Sequence, residues 1–184
     1  MKDKVYKRAV IFMCALIAIS VLYGGMRSVN VYRNTVIDEY HSGGAAAAAD
    51  GVFSSAYNLL SVAERYIPDD SAALELRDAL AESENQNLSI VSEHKAVKEV
   101  IYKSNALYKK LGECTLAETD ETYRVKLFYN IKSYYSILCK NEYNLSAAEY
   151  NADMQKYPAR LFMRLAQKAY LPSFFAGDII WEDQ

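Results

Sequence analysis

Glycine and proline are both scarce, seven and three in a chain of 184 residues. A β-sandwich or barrel needs a turn signal every ~8–12 residues. So few turn formers do not supply them, whereas long helices tolerate the shortage, and the composition predicts an all-α fold. Cysteine is scarce as well. Cys14, Cys114 and Cys139 are too few for a disulfide scaffold, and with no CxxC pair or adjacent histidine they form no zinc motif. A bridge between Cys114 and Cys139 stays open and would require an oxidising compartment. The two histidines, His41 and His94, stand in different elements without a ligand at metal spacing, and they read as surface or cap residues. Phosphate-binding, zinc-protease and nucleophile-elbow signatures are all missing. A net charge of -2 gives no footprint for a polyanion, so nucleic acid is not an expected partner. These absences predict a protein that is not an enzyme, with no catalytic residue, metal site or cofactor.

What the chain does have is one long hydrophobic run. Residues 9–26 carry no charge and lie between Lys7-Arg8 and Arg27. At ~1.5 Å per residue they make about 27 Å of helix, enough for a hydrocarbon core of about 30 Å. A cleaved signal would need small residues three and one before the cut, and the end of the run, Val21 to Met26, offers no such pair. Residues 9–26 are therefore predicted to be a single-pass transmembrane anchor in contact with the lipid bilayer. Lys2, Lys4, Lys7 and Arg8 precede it, whereas only Arg27 and Arg33 follow closely. The positive-inside rule then places residues 1–8 in the cytoplasm and the domain outside.

Residues 27–171 are predicted to form an antiparallel bundle of long helices. Val29, Val31 or Tyr32, Val36 and Tyr40 recur at helical spacing after the anchor. Ser42-Gly43-Gly44 should then break the helix. Ala45 to Ala49 open the next helix and favour close helix contact, and Pro68 ends it near Tyr66. Asp69-Asp70-Ser71 should cap a second domain helix running to a Gly112 cap, weakened at the polar patch 83–87. A third is expected from Thr119-Asp120 to Pro158. On it, Ile131, Leu138 and Leu145 share one stripe, while Tyr129, Tyr143, Tyr150 and Tyr157, with Ala147 and Met154, share nearly the opposite one. A helix apolar on two faces is packed on both or offers one to a partner. The last helix is expected from Ala159 to Tyr170. Beyond it, the tail 172–184 carries Phe174, Phe175, Ile179, Ile180 and Trp181 and is too apolar to lie free in water, so it should dock on the bundle.

Tyr143-Asn144, Tyr150-Asn151 and Tyr157-Pro158, five residues apart each time, resemble the YN-x5-YN-x5-FP signature of the LemA family. Pro172-Ser173-Phe174-Phe175 looks like the segment that follows it there. Asn58-Leu59-Leu60 and Val62 look like the family's NLV-x-x-V stretch. The likeness covers most of residues 27 to 178, most strongly from 123 onward. It departs where the family carries an arginine pair about six residues before the Asn, since Gly51 and Val52 stand there instead. The resemblance implies a single-pass, mostly helical bacterial membrane protein with no known catalytic residues.

The two apolar helix faces and the lack of any catalytic constellation lead to one expectation. The chain should be a membrane-anchored scaffold acting through helix-face contacts with itself or another protein, and the resemblance implies that its place is the bacterial cell envelope, in the cytoplasmic membrane, among envelope proteins. Tyr129, Tyr143, Asn144, Tyr150, Asn151, Tyr157, Pro158, Phe174 and Phe175 are its candidate interface and packing residues, with the asparagines read as fixing helix register. The alternative is a sensory or lipid-binding module with a ligand between helices near the tyrosines.

Overall fold

The computed structural model describes residues 2–83 and 89–181, and among them every regular element is helical. Seven α-helices follow one another: α1 (Lys2–Ser42), α2 (Ala45–Tyr66), α3 (Ser71–Ser83), α4 (Ile90–Gly112), α5 (Glu118–Lys140), α6 (Tyr143–Gln155) and α7 (Ala159–Leu165). The tail, interrupted by a single 3-10 turn at Ala176–Asp178, runs on from there.

α1 has two halves of opposite character. Its most apolar 18-residue window has a mean hydropathy of 2.3 and none of it is buried. Every residue from Tyr6 to Gly24 is exposed, and this half is long and apolar enough to cross a membrane. From Val29 the same helix enters the core, burying Val29, Val36 and Tyr40, while Tyr32 is half-buried and Val31 is 58% exposed. It stops where glycine permits. Gly44 sits at φ 85°, a left-handed conformation that costs other L-residues roughly 1–2 kcal/mol.

Helices α2 to α5 form an antiparallel four-helix bundle whose register can be traced from cross-contacts. Arg65 and Tyr66, at the end of α2, reach Asp120 at the start of α5, at 2.9 and 2.5 Å. At the other end, Gly43 accepts from the Asn141 amide at 2.9 Å. Lys103 of α4 meets Glu75 of α3, and Arg77 of α3 meets Glu64 of α2. The alanines do what their size allows: Ala45, Ala48, Ala49 and Ala56 are all buried in the packing of α2. Gly51 lies so near the Tyr134 ring of α5 that an added Cβ would come within 2.6 Å.

Four expectations about the elements need correction. The predicted second helix is two, since α3 ends at Ser83 and α4 begins at Ile90, with the Ser89 hydroxyl accepting from the Ser92 amide. The rest of the polar patch after Ser83 lies outside the described residues. The predicted third helix is also two. Asn141 takes the Tyr143 N–H on its side-chain oxygen at 3.0 Å while its amide holds Gly43, and this local competition breaks the helix without glycine or proline. As a result, Leu145 leaves the Ile131–Leu138 stripe and is 65% exposed. Gly112 is the last residue of α4 and not a left-handed cap; a Cβ there would meet the Arg124 guanidinium at 3.2 Å. Finally, α7 ends at Leu165, short of Tyr170, with Gln167 at φ 53° closing it.

Candidate functional site

The paired Tyr-Asn steps of α6 lie where three parts of the chain meet. α6 runs antiparallel to the second half of α1, so Tyr143 packs on Tyr40 with ring centres 5.0 Å apart, and Tyr150 packs on Tyr32 at 5.3 Å. Both tyrosines of α6 are fully buried. Each asparagine follows its tyrosine by one residue, a rotation of ~100° that turns it from α1 toward the tail. The seven-residue repeat brings both back to the same stripe.

There they act as clamps on extended backbone. The Asn151 amide donates to the Leu171 carbonyl at 2.7 Å, and its oxygen accepts the Leu171 N–H at 2.9 Å. The Asn144 oxygen accepts the Phe174 N–H at 2.7 Å, while its amide donates to the Leu138 and Cys139 carbonyls at the end of α5. Tyr143 sends its hydroxyl to the Pro172 carbonyl at 2.8 Å, and Tyr135 of α5 sends its own to Phe175 at 2.9 Å. His94 of α4 lies 3.0 Å from the Ser173 carbonyl and packs its ring on Phe174. Backbone groups that leave water must be paired. A tail with no sheet partner here obtains that pairing from side chains of α4, α5 and α6.

Farther along, the tail is fixed by Lys98 to Asp178 at 2.7 Å and by the Asn105 amide to the Ile180 carbonyl at 3.2 Å. Trp181, the last described residue, packs against Phe128 and Tyr135. Behind Phe128, Tyr108 stacks in parallel at 3.9 Å, and the Arg124 guanidinium lies over Tyr108 at 4.2 Å. Arg124 is itself buried, with the Nε–Nη2 edge of its guanidinium donating to both oxygens of Glu121 and Nη1 donating to the Tyr108 carbonyl at 2.7 Å.

The electrostatics favour holding over reacting. Burial pushes the Tyr143 and Tyr135 hydroxyls well above the usual phenol range and raises the Cys139 thiol, so none is a ready nucleophile near neutrality. Burial lowers His94, opposed by the Ser173 carbonyl. Burial raises the Glu93 carboxyl, opposed by the Tyr40 hydroxyl that donates to it at 2.9 Å. Among the described residues no three His, Cys, Asp or Glu side chains gather as metal ligands. Cys114 stands before the start of α5 and Cys139 in its last turn, roughly 30 Å apart along the helix. Both are free, and a disulfide needs Cα atoms within about 7 Å.

The structure thus gathers Tyr143, Asn144, Tyr150, Asn151 and Phe174 at one place. Tyr129 and Tyr157 lie elsewhere, exposed by 63% and 85%, and Phe175 is exposed beside the clamp. Pro158 lines a separate apolar groove of about 240 Å³ with Gly25, Val29, Tyr32 and Phe162. His94 is part of the clamp and not a surface or cap residue. Tyr135, Asn105 and Arg124 were not singled out by sequence; a buried arginine three residues after Glu121 carries only the ordinary signal of an exposed helix pair. Compared with protein-family models, curated proteins and solved structures, the chain matches none.

Proposed function

We propose that the chain is a non-enzymatic, membrane-anchored helical scaffold with kinship to the LemA family. Residues 9–26 cross a bacterial cytoplasmic membrane, with the first eight residues inside and the helical domain outside. It acts through helix-face contacts with a second copy or another envelope protein. The observation that carries this reading is the division of α1: an apolar, exposed half continues, unbroken, into a half locked in the domain core. Tyr6 just before the run and Tyr23 near its end, both exposed, stand where aromatic residues gather at membrane interfaces. On the domain, Tyr102, Tyr129, Ile137 and Leu145 keep apolar surface exposed and available to a partner. Cross-linking in intact membranes, followed by purification in mild detergent, tests it. A homo-oligomer or a defined partner supports the scaffold; a lone monomer under every condition overturns it.

A second reading, a small-molecule or lipid-binding module, is favoured by the groove beneath Phe162, whose lining is mostly apolar and which opens beside the end of the membrane run. Mass spectrometry of the purified full-length protein separates the two, since a stoichiometric co-purifying lipid would support the module.

A further inference from the structure

We infer that the α6–α7 corner is a second membrane contact, a basic and apolar foot that rests on the anionic headgroups of the bilayer holding α1. The inference depends on the anchor reading above.

Position comes first. α6 descends along α1 from Tyr143 opposite Tyr40, through Tyr150 opposite Tyr32, to Met154 and Pro158 beside Val29 and Gly25. α7 completes the descent by seating Phe162 on Gly25, where an added Cβ would lie 2.6 Å from the ring. From Tyr6 to Gly24, α1 is exposed. The corner is therefore the lowest part of the domain along α1, level with the last turn of the uncharged run that ends at Met26.

Composition agrees with that position. The inward face of α7 is Phe162 and Met163, and its outward face is Arg160, Leu161, Arg164 and Leu165. Leu161 and Leu165 are exposed by 41% and 48%, beside Tyr157 at 85%. Between Asp153 and Asp178 the sequence has no carboxylate but has Lys156, Arg160, Arg164 and Lys168. Only Lys156 is paired there, with Asp153 at 2.8 Å; the other three have no carboxylate partner among the described residues. Tyr157, Arg160, Leu161 and Arg164 border a shallow depression of about 400 Å³. Exposed leucines and a tyrosine flanked by unpaired cations match the boundary between acyl chains and anionic headgroups. Each Lys or Arg near anionic headgroups adds attraction, and the bilayer, already tethered by α1, meets the foot without a separate encounter.

The test uses the full chain in a Trp181→Phe background, reconstituted into bilayers with acyl chains brominated to quench tryptophan. Reporters are Leu161→Trp at the foot, Leu16→Trp in the anchor and Tyr102→Trp on α4. Neutral phosphatidylcholine is compared with the same lipid plus phosphatidylglycerol, after circular dichroism shows unchanged helicity. Quenching of Leu161→Trp well above Tyr102→Trp, rising at least about twofold with phosphatidylglycerol and losing that rise in Arg160→Gln/Arg164→Gln/Lys168→Gln, is the expected result. Quenching of Leu16→Trp but not Leu161→Trp overturns the foot and spares the anchor; quenching of neither overturns both. Quenching of Leu161→Trp indifferent to lipid charge overturns the proposed headgroup contact. If a reporter loses helicity, protection of the unaltered chain's 157–168 amides in hydrogen exchange decides. More protection in anionic than in neutral bilayers supports the foot, and equal protection overturns it.

Discussion

Asn144 and Asn151 show how one side-chain type stands in for a missing strand. A carboxamide offers a donor and an acceptor in one plane, matching the C=O and N–H of a single extended residue. Asn151→Ala leaves both Leu171 groups without partners and should cost about 1–3 kcal/mol, measured by thermal denaturation in detergent. Asn151→Asp should be nearly as damaging, because a carboxylate cannot donate to the Leu171 carbonyl. The neighbouring tyrosines give a sharper contrast. Tyr143→Phe removes the bond to Pro172 and should cost about 1 kcal/mol, whereas the buried Tyr150 hydroxyl has no protein partner and Tyr150→Phe should be neutral or stabilising. His94 adds a pH dependence with a definite sign. Its folded pKa lies below its ordinary 6.5, so its contribution is complete above that value and is lost as pH falls below it. The melting temperature of the unaltered chain minus that of His94→Gln should shrink between neutral pH and about pH 5. A constant difference would show that His94 does not titrate against the tail.

At the scale of elements, what sequence made legible were the ends with local causes. Pro68 and Asp70 bound α2 and α3, with the Asp70 carboxylate accepting the Ala72 N–H at 2.9 Å, and the Gly43-Gly44 stop falls where expected. The α5–α6 break was not legible, because only one of the two Asn141 bonds that make it is local; the other clasps a carbonyl 98 residues earlier in the chain. The clamp was half legible for the same reason. The repeat of Tyr143-Asn144 and Tyr150-Asn151 stands out in the sequence, but their partners at Leu171 and Phe174 are set by tertiary packing, as is the role of His94. Close contact between elements gives its own prediction. Gly51→Ala should gain about 1 kcal/mol of helix propensity, but only where the Tyr134 ring is not in the way. A thermodynamic cycle should find Gly51→Ala stabilising in Tyr134→Ala and neutral or destabilising otherwise; equal effects in both would mean the ring moves freely.

For the whole molecule, the boundary between anchor and domain falls inside α1 and not at its end. Val29, Val36 and Tyr40 belong to the same core as Tyr143 and Tyr150. A chain beginning at Gly24 should therefore be soluble and keep a cooperative helical melt by circular dichroism. One beginning at Gly43 should lose several kcal/mol or fail to fold, since it strips the buried partners of α6.

The unbroken course of α1 has a mechanical corollary. Forty-one residues of helix form a shaft about 60 Å long, with no joint between the stretch proposed to lie in lipid and the stretch wedged in protein. A thicker or thinner bilayer that changes the shaft's tilt must swing the entire domain with it. Membrane thickness would thereby become an angle at which the distal surface is presented to its neighbours.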